Sequence, residues 1–113
     1  MKKWARIPFN RNIKDIAPKL VKLVADEWDT TVPQLLDFSA KPEFVIEPRR
    51  ALIYILSMHG TGPSRNISDY FNITASRVRE ILPRARELMK DNPHFNKRCK
   101  SIYDLTKIEE VVA

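Results

Sequence analysis

Apolar residues recur along this chain at the spacing of α-helices. Ile16, Leu20, Val24 and Trp28 follow one another at intervals of four residues. Such spacing places them on one face of a helix. Runs in which apolar and polar residues alternate, the pattern of a half-buried strand, are scarce. The pattern therefore predicts an all-α fold, built as a small helical bundle.

Capping residues and prolines give the expected ends of the first three helices. Asp15 is the predicted N-cap of the first helix, which would put Pro18 in its first turn. Thr31 is expected to cap a short second helix. A third helix is predicted over residues 44–58. Pro48 either opens it or kinks it, because the residue before a proline is biased away from helical geometry.

The most informative stretch is residues 64–86, where two helices are expected to meet at a tight turn. Ser64 is the predicted N-cap of the first helix, and Asn72 tolerates the left-handed conformation that such a turn needs. Thr74 can cap the second helix, and Pro83 is expected to end or kink it. Two helices joined in this way are typical of a helix-turn-helix. The alternative is an ordinary helical hairpin with a charged, solvated face.

The second of these helices carries side chains suited to reading DNA. Arg77 or Arg79 can present its fork to guanine O6 and N7 or grip a phosphate. Glu80 can accept a hydrogen bond from cytosine N4, or it can pair with Arg84 one turn later. The predicted DNA contacts of the motif are Thr74, Ala75, Ser76, Arg77, Arg79, Glu80 and Arg84, with Arg65 on the preceding helix.

Positive charge is concentrated in two blocks of the chain. The formal net charge is +6, from 20 Lys and Arg against 14 Asp and Glu. Residues 1–14 and 76–100 carry +5 each, while residues 15–75 and 101–113 carry −2 each. Clustered positive charge attracts polyanions by Coulomb steering and counterion release, which makes nucleic acid the leading partner. Solubility alone is the competing explanation of the charge.

The size and composition fit a single soluble domain. The chain has 113 residues, of which 43% are hydrophobic. We divide it into a basic N-terminal arm (1–12), a helical DNA-binding domain (13–106) and a C-terminal tail (107–113). No apolar run approaches the roughly 20 residues of a membrane span, and the start lacks the pattern of a signal peptide, so a cytoplasmic location is expected. The arm residues that would lie along DNA are Lys2, Lys3, Arg6 and Arg11, with a frayed terminus as the alternative.

The stretches VADEWDTTVPQLL at 24–36 and RRALIYIL at 49–56 resemble the C-terminal DNA-binding domain (domain IV) of the bacterial replication initiator DnaA, and the second is similar to the family's R-Q-I-A-M-Y-L helix. The resemblance runs from about Ile13 to Leu105, with further matching positions at Ile67, Phe71, Val78 and residues 91–93 when one-residue gaps are allowed. The resemblance implies a bundle of the Trp repressor-like class with an embedded helix-turn-helix. It also implies that a basic residue before the long helix reaches the minor groove, a position matched by Lys41, and that Arg49 and Arg50 lie near phosphates.

The chain departs from that family where the family reads its cognate site. The family string G-G-R-D-H-T-T is replaced by NITASR at 72–77. The resemblance therefore implies a docking geometry and no particular DNA sequence. No Walker-type glycine loop occurs, so ATPase activity is not expected. The chain looks like a stand-alone domain IV, for which a phage or prophage is one source.

No other chemistry competes with this interpretation. His94 and Cys99 are five residues apart, so on one helix they point in different directions and make no metal site. Cys99 is predicted to be a small core residue. No nucleophile or acid–base arrangement has supporting context, and we expect no enzyme activity, no metal and no cofactor.

These observations predict a double-stranded DNA-binding protein that controls replication or transcription, as a monomer or a homodimer. Its helix-turn-helix is expected to enter the major groove. One alternative is a protein-interaction module that binds a host replication or transcription protein through Ile7, Phe9, Val111 and Val112. Another is RNA binding through the same basic faces.

Overall fold

Six helices make up the described part of the chain. The computed structural model describes residues 12–61 and 63–112, with side chains as far as residue 106. The described residues contain no strand, so the prediction of an all-α fold is confirmed. No helix among them is both long and apolar enough to cross a membrane. The helices are α1 (Ile13–Glu27), α2 (Val32–Leu36), α3 (Glu43–Met58), α4 (Ser64–Phe71), α5 (Ala75–Asp91) and α6 (Pro93–Val112).

Helix α3 lies at the centre of the bundle and contacts each of the other five helices. The reason is visible in its sequence, because residues 51–56 are apolar almost without interruption and a helix that is apolar on all sides must be surrounded. The residues of α3 that are fully buried are Val45, Ala51, Leu52, Ile53, Ile55 and Leu56. The position of α3 also determines where the loop before it lies, and this loop is part of the candidate site.

Two predicted N-caps are displaced from their expected positions. Helix α1 begins earlier than predicted, since the side chain of Asn12 accepts a hydrogen bond from the Lys14 amide at 2.9 Å. Asn caps a helix as well as Asp does. Because Asn12 is the N-cap, Asp15 lies inside the first turn of α1, and Pro18 lies deeper in the helix than predicted. Pro63, not Ser64, occupies the N-cap position of α4.

Prolines do not interrupt the long helices where the sequence predicted that they would. Pro48 lies inside α3 and therefore does not open it. Pro83 was expected to end or kink α5, but it lies inside the helix, which continues for eight more residues to Asp91, so Pro83 does not end it. Buried side chains on both sides of Pro83 hold α5 against the core, and Pro83 itself is exposed.

The turn between α4 and α5 has the conformation that its sequence predicted. Asn72 is left-handed, with φ 56° and ψ 45°. The Thr74 hydroxyl then accepts a hydrogen bond from the Arg77 amide at 3.1 Å and caps α5. Thr31 caps α2 in the same way, with Gln34 completing a capping box. All of these predictions are confirmed.

The predicted C-terminal tail and the predicted N-terminal arm differ in how far the structure describes them. Helix α6 begins at Pro93, where a restart was expected, and its backbone continues to Val112 through the segment predicted to be a tail. The arm residues Lys2, Lys3, Arg6 and Arg11 lie outside the described residues, as do Ile7, Phe9 and the side chains of Val111 and Val112.

Arg98 of α6 ties together α1 and α3. Its Nε lies 3.0 Å from Glu27 Oε2, and its guanidinium lies 4.1 Å from the centre of the Trp28 ring. The Trp28 indole donates to Glu47 Oε2 at 2.7 Å, and that carboxylate also faces Arg98 at 3.7 Å. The charges on this side of the bundle are therefore paired with one another.

Candidate nucleic-acid interface

The outward surface of α5 has two edges that differ in charge. Its buried stripe consists of Val78, Leu82, Ala85 and Met89. Successive helical residues are rotated by about 100°, so side chains two positions apart, such as Arg77 and Arg79, point about 160° away from each other. The sequence prediction grouped these two arginines together, whereas the helix separates them onto opposite edges.

One edge of α5 carries only positive charge. Arg79, Arg86 and Lys90 fall within about 40° of one another around the helix axis, and all three are exposed. Ser76 lies near this edge, and its hydroxyl accepts a hydrogen bond from Arg79 Nη2 at 3.4 Å. We name Arg79, Arg86 and Lys90 the basic edge.

The other edge of α5 faces α3 across an open groove of about 550 Å³. Six of the predicted contact residues, which come from separate parts of the sequence, meet there: Lys41, Arg49, Arg50, Arg77, Glu80 and Arg84. The remaining lining residues are Ile46, Ile81, Pro83 and Glu87. We name this feature the α3–α5 groove.

A buried phenylalanine connects the start of α5 to the loop before α3. The guanidinium of Arg77 lies 5.7 Å from the centre of the Phe38 ring, and that of Arg49 lies 4.8 Å from it. Both distances are within the range of cation–π attraction. The ring of Phe71, at the end of α4, lies 5.8 Å from Phe38. Phe38 therefore joins the loop to both helices of the α4–α5 pair.

Arg49 has a structural position and is not an exposed phosphate contact. It is only 4% exposed, and its Nε donates to the Leu35 carbonyl at 2.9 Å. Nη1 donates to the Ala40 carbonyl at 2.8 Å, and Nη2 donates to the carbonyls of Gln34 and Asp37. Burial, and after it the charge of Arg77, lowers the pKa of Arg49 from its ordinary value. The expectation that Arg49 lies at a DNA surface is therefore corrected, because its guanidinium holds the 34–40 segment onto α3.

The loop before α3 positions Lys41 at the mouth of the groove. The Ser39 hydroxyl and amide donate to the Asp37 carboxylate. These hydrogen bonds, with the hydroxyl contributing most, lower the pKa of Asp37 below its ordinary value. Lys41 follows this turn and is exposed, while Arg50 on α3 is half-buried. Two of the three basic residues suggested by the family resemblance are therefore accessible.

The other predicted contacts lie at the start of α5 and on α4. Ser76 is exposed, whereas Ala75 is half-buried, and the Thr74 hydroxyl is used by the cap. Arg65 on α4 is exposed but does not line the groove, and it lies 3.7 Å from Asp69 one turn away. The structure thus brings one group of predicted contacts together in the groove and leaves the others outside its lining: Arg65, Thr74, Ala75, Ser76 and Arg79.

Sequence reasoning missed Phe38, Ile46 and Glu87. Glu87 could have been found, because Arg77, Glu80, Arg84 and Glu87 are spaced by three and four residues and so share one side of a helix. Phe38 and Ile46 carry no such local signal, since their role depends on how α3 and α5 pack.

Cys99 should not react with a thiol reagent in the folded protein. It is fully buried, and burial raises the pKa of its thiol to about 12. Because the thiolate is the reactive form, modification at pH 8 should require unfolding. Absorbance with Ellman's reagent should therefore stay low in buffer and reach one thiol per chain in denaturant. Equal reaction rates under both conditions would contradict this prediction.

The described residues hold no group of three or more His, Cys, Asp or Glu side chains arranged for a metal ion.

No family model matches the chain, and comparisons with curated proteins and with solved structures give no match either.

Proposed function

We propose that this protein binds double-stranded DNA, with α4 and α5 docking as a helix-turn-helix and α5 entering the major groove. The observation that carries this proposal is the α4–α5 unit itself, in which a left-handed Asn72 and a Thr74 cap join the two helices. Helix α5 packs on the core through Val78, Leu82, Ala85 and Met89 and leaves its basic outward surface exposed. A helix held in this way can place its N-terminal half in the major groove of the duplex. Control of replication or transcription is the proposed role, without ATPase activity.

The two edges of α5 suggest how the helix would sit in the groove. Ser76 and Glu80 lie at the centre of its outward surface, where base edges would be met. Arg77 and Arg79 flank this centre and would lie nearest the two DNA strands. Lys41 projects from the loop beside α5 and would meet the adjacent minor groove or its phosphates.

The domain IV of DnaA is the family that we propose for this fold. Support comes from the sequence resemblance at 24–36 and 49–56, together with the order of the elements. A basic loop residue precedes the long central helix, and the α4–α5 pair follows it. The proposal covers the docking geometry, because the residues at 72–77 differ from the family string.

Selection from random duplex DNA, followed by sequencing, tests the proposed function. We expect an enriched motif a few base pairs long. Binding to that motif should weaken steeply with salt, with a log–log slope of about −4 to −5 if roughly five phosphates are contacted. A pool that shows no enrichment, or a stronger preference for single strands or A-form RNA than for B-DNA, would overturn the proposal.

A protein-interaction module is the second candidate function. It is favoured by three exposed apolar side chains, Val32 and Leu36 on α2 and Phe44 at the start of α3, the last of them 54% exposed. In a pull-down from a nuclease-treated lysate, this function predicts that the wild-type chain retains one replication or transcription protein. The Phe44→Ser variant should not retain that protein. Retention only when DNA is intact would favour direct DNA binding.

A further inference from the structure

The α3–α5 groove combines three kinds of chemistry within one small volume. Its cations come from the α3 side as Lys41 and Arg50 and from α5 as Arg84 and Arg77. Apolar surface comes from Ile46, Ile81 and Pro83, and hydrogen-bond acceptors come from Glu80 and Glu87. A volume of about 550 Å³ is within the usual size of small-molecule sites.

The floor of the groove includes a buried cation with a donor to spare. Arg49 lines the groove and is 4% exposed, and a guanidinium has five N–H groups. Four hydrogen bonds to backbone carbonyls leave one N–H of Nη1 without an acceptor among the described residues. Arg77 adds a second positive charge nearby, because both guanidinium groups lie against the Phe38 ring. An anion in the groove would offset the repulsion between these two positive charges.

The two carboxylates decide which kind of anion fits. Glu80 and Glu87 lie on the α5 wall, where they would repel a continuous row of backbone phosphates along the groove. A ligand that is anionic at one end and rich in hydrogen-bond donors at the other would avoid this repulsion. A nucleoside phosphate has both, together with a flat ring that can pack on Ile46 and Ile81.

We propose that the α3–α5 groove binds a nucleoside phosphate. The phosphate lies against Lys41, Arg50 and Arg84, the sugar hydroxyls or exocyclic amine donate to Glu80 and Glu87, and the base packs on the apolar wall. If the proposed DNA-binding function holds, such a ligand also competes with DNA, because Arg77 and Arg84 belong to both surfaces.

The test is a titration of the full chain with AMP, adenosine and inorganic phosphate at constant ionic strength, followed by NMR or calorimetry. AMP should bind at least about tenfold more tightly than either fragment, because each fragment occupies one half of the groove. Arg84→Ala should weaken AMP binding about tenfold or more, the loss expected for one charge-assisted hydrogen bond. Arg86→Ala removes the same side chain from the basic edge of the same helix and should change AMP binding less than about twofold.

Three results would overturn the nucleoside phosphate site. They are no saturable AMP binding, inorganic phosphate that binds as tightly as AMP, and equal losses in Arg84→Ala and Arg86→Ala. Duplex binding is measured separately on the same samples. DNA binding without AMP binding refutes the groove ligand alone, whereas AMP binding without DNA binding refutes the proposed function alone.

Discussion

Replacing Arg49 with alanine should lower the free energy of unfolding by about 3–5 kcal/mol. The substitution removes the donors for the carbonyls of Leu35, Gln34, Asp37 and Ala40 and leaves space beside Phe38. A domain of this size is stable by only about 5–15 kcal/mol, so the loss is a large share of the total. Thermal unfolding followed by circular dichroism should show a melting temperature lower by more than about 12 °C.

Two further substitutions make the Arg49 experiment specific. Arg50→Ala removes the same charge from the adjacent, half-buried position and should change the melting temperature little. Arg49→Lys keeps the charge but cannot present a planar fork to four carbonyls. Its melting temperature should therefore lie between those of Arg49→Ala and the wild type. If Arg49→Ala unfolds at the wild-type temperature, the 34–40 segment is held by other contacts.

Features set by near neighbours in the sequence were predictable. The left-handed turn at Asn72 and the caps at Thr74 and Thr31 involve residues at most three positions apart, so residue type alone indicates them. The choice of Asp15 over Asn12 as a cap failed, because both residue types cap equally well. Which one is used depends on how far the buried face of α1 extends.

Features set by packing were not predictable. Arg49 looked like a surface cation, and its partners are carbonyls 9 to 15 residues earlier in the chain. Pro83 looked like a helix end, but the burial of Leu82 and Ala85 on either side holds α5 together. The groove itself exists only because α5 packs on α3, so no spacing rule could connect Lys41 to Arg84.

Replacing Arg77 and Arg79 together with alanine should weaken binding to the selected duplex by about 2–6 kcal/mol, roughly 1–3 kcal/mol for each contact. The fold should be unaffected, since Arg79 is exposed and Arg77 gives up only its contact with Phe38, at 5.7 Å from the ring centre. Fluorescence anisotropy on labelled duplex measures the change. The double variant Lys14→Ala/Lys22→Ala removes two exposed charges from α1 and should have a much smaller effect.

The single variants separate the roles of the two edges of α5. A side chain that reads a base should lose discrimination at one position of the motif when it is removed, whereas one that grips a phosphate should weaken all sequences alike and reduce the salt slope by about one. Because Arg77 and Arg79 point about 160° apart, they should act on different strands and their losses should add. If the α5 double variant loses no more affinity than the α1 double variant, the protein binds DNA through net charge, and α5 is not a recognition helix.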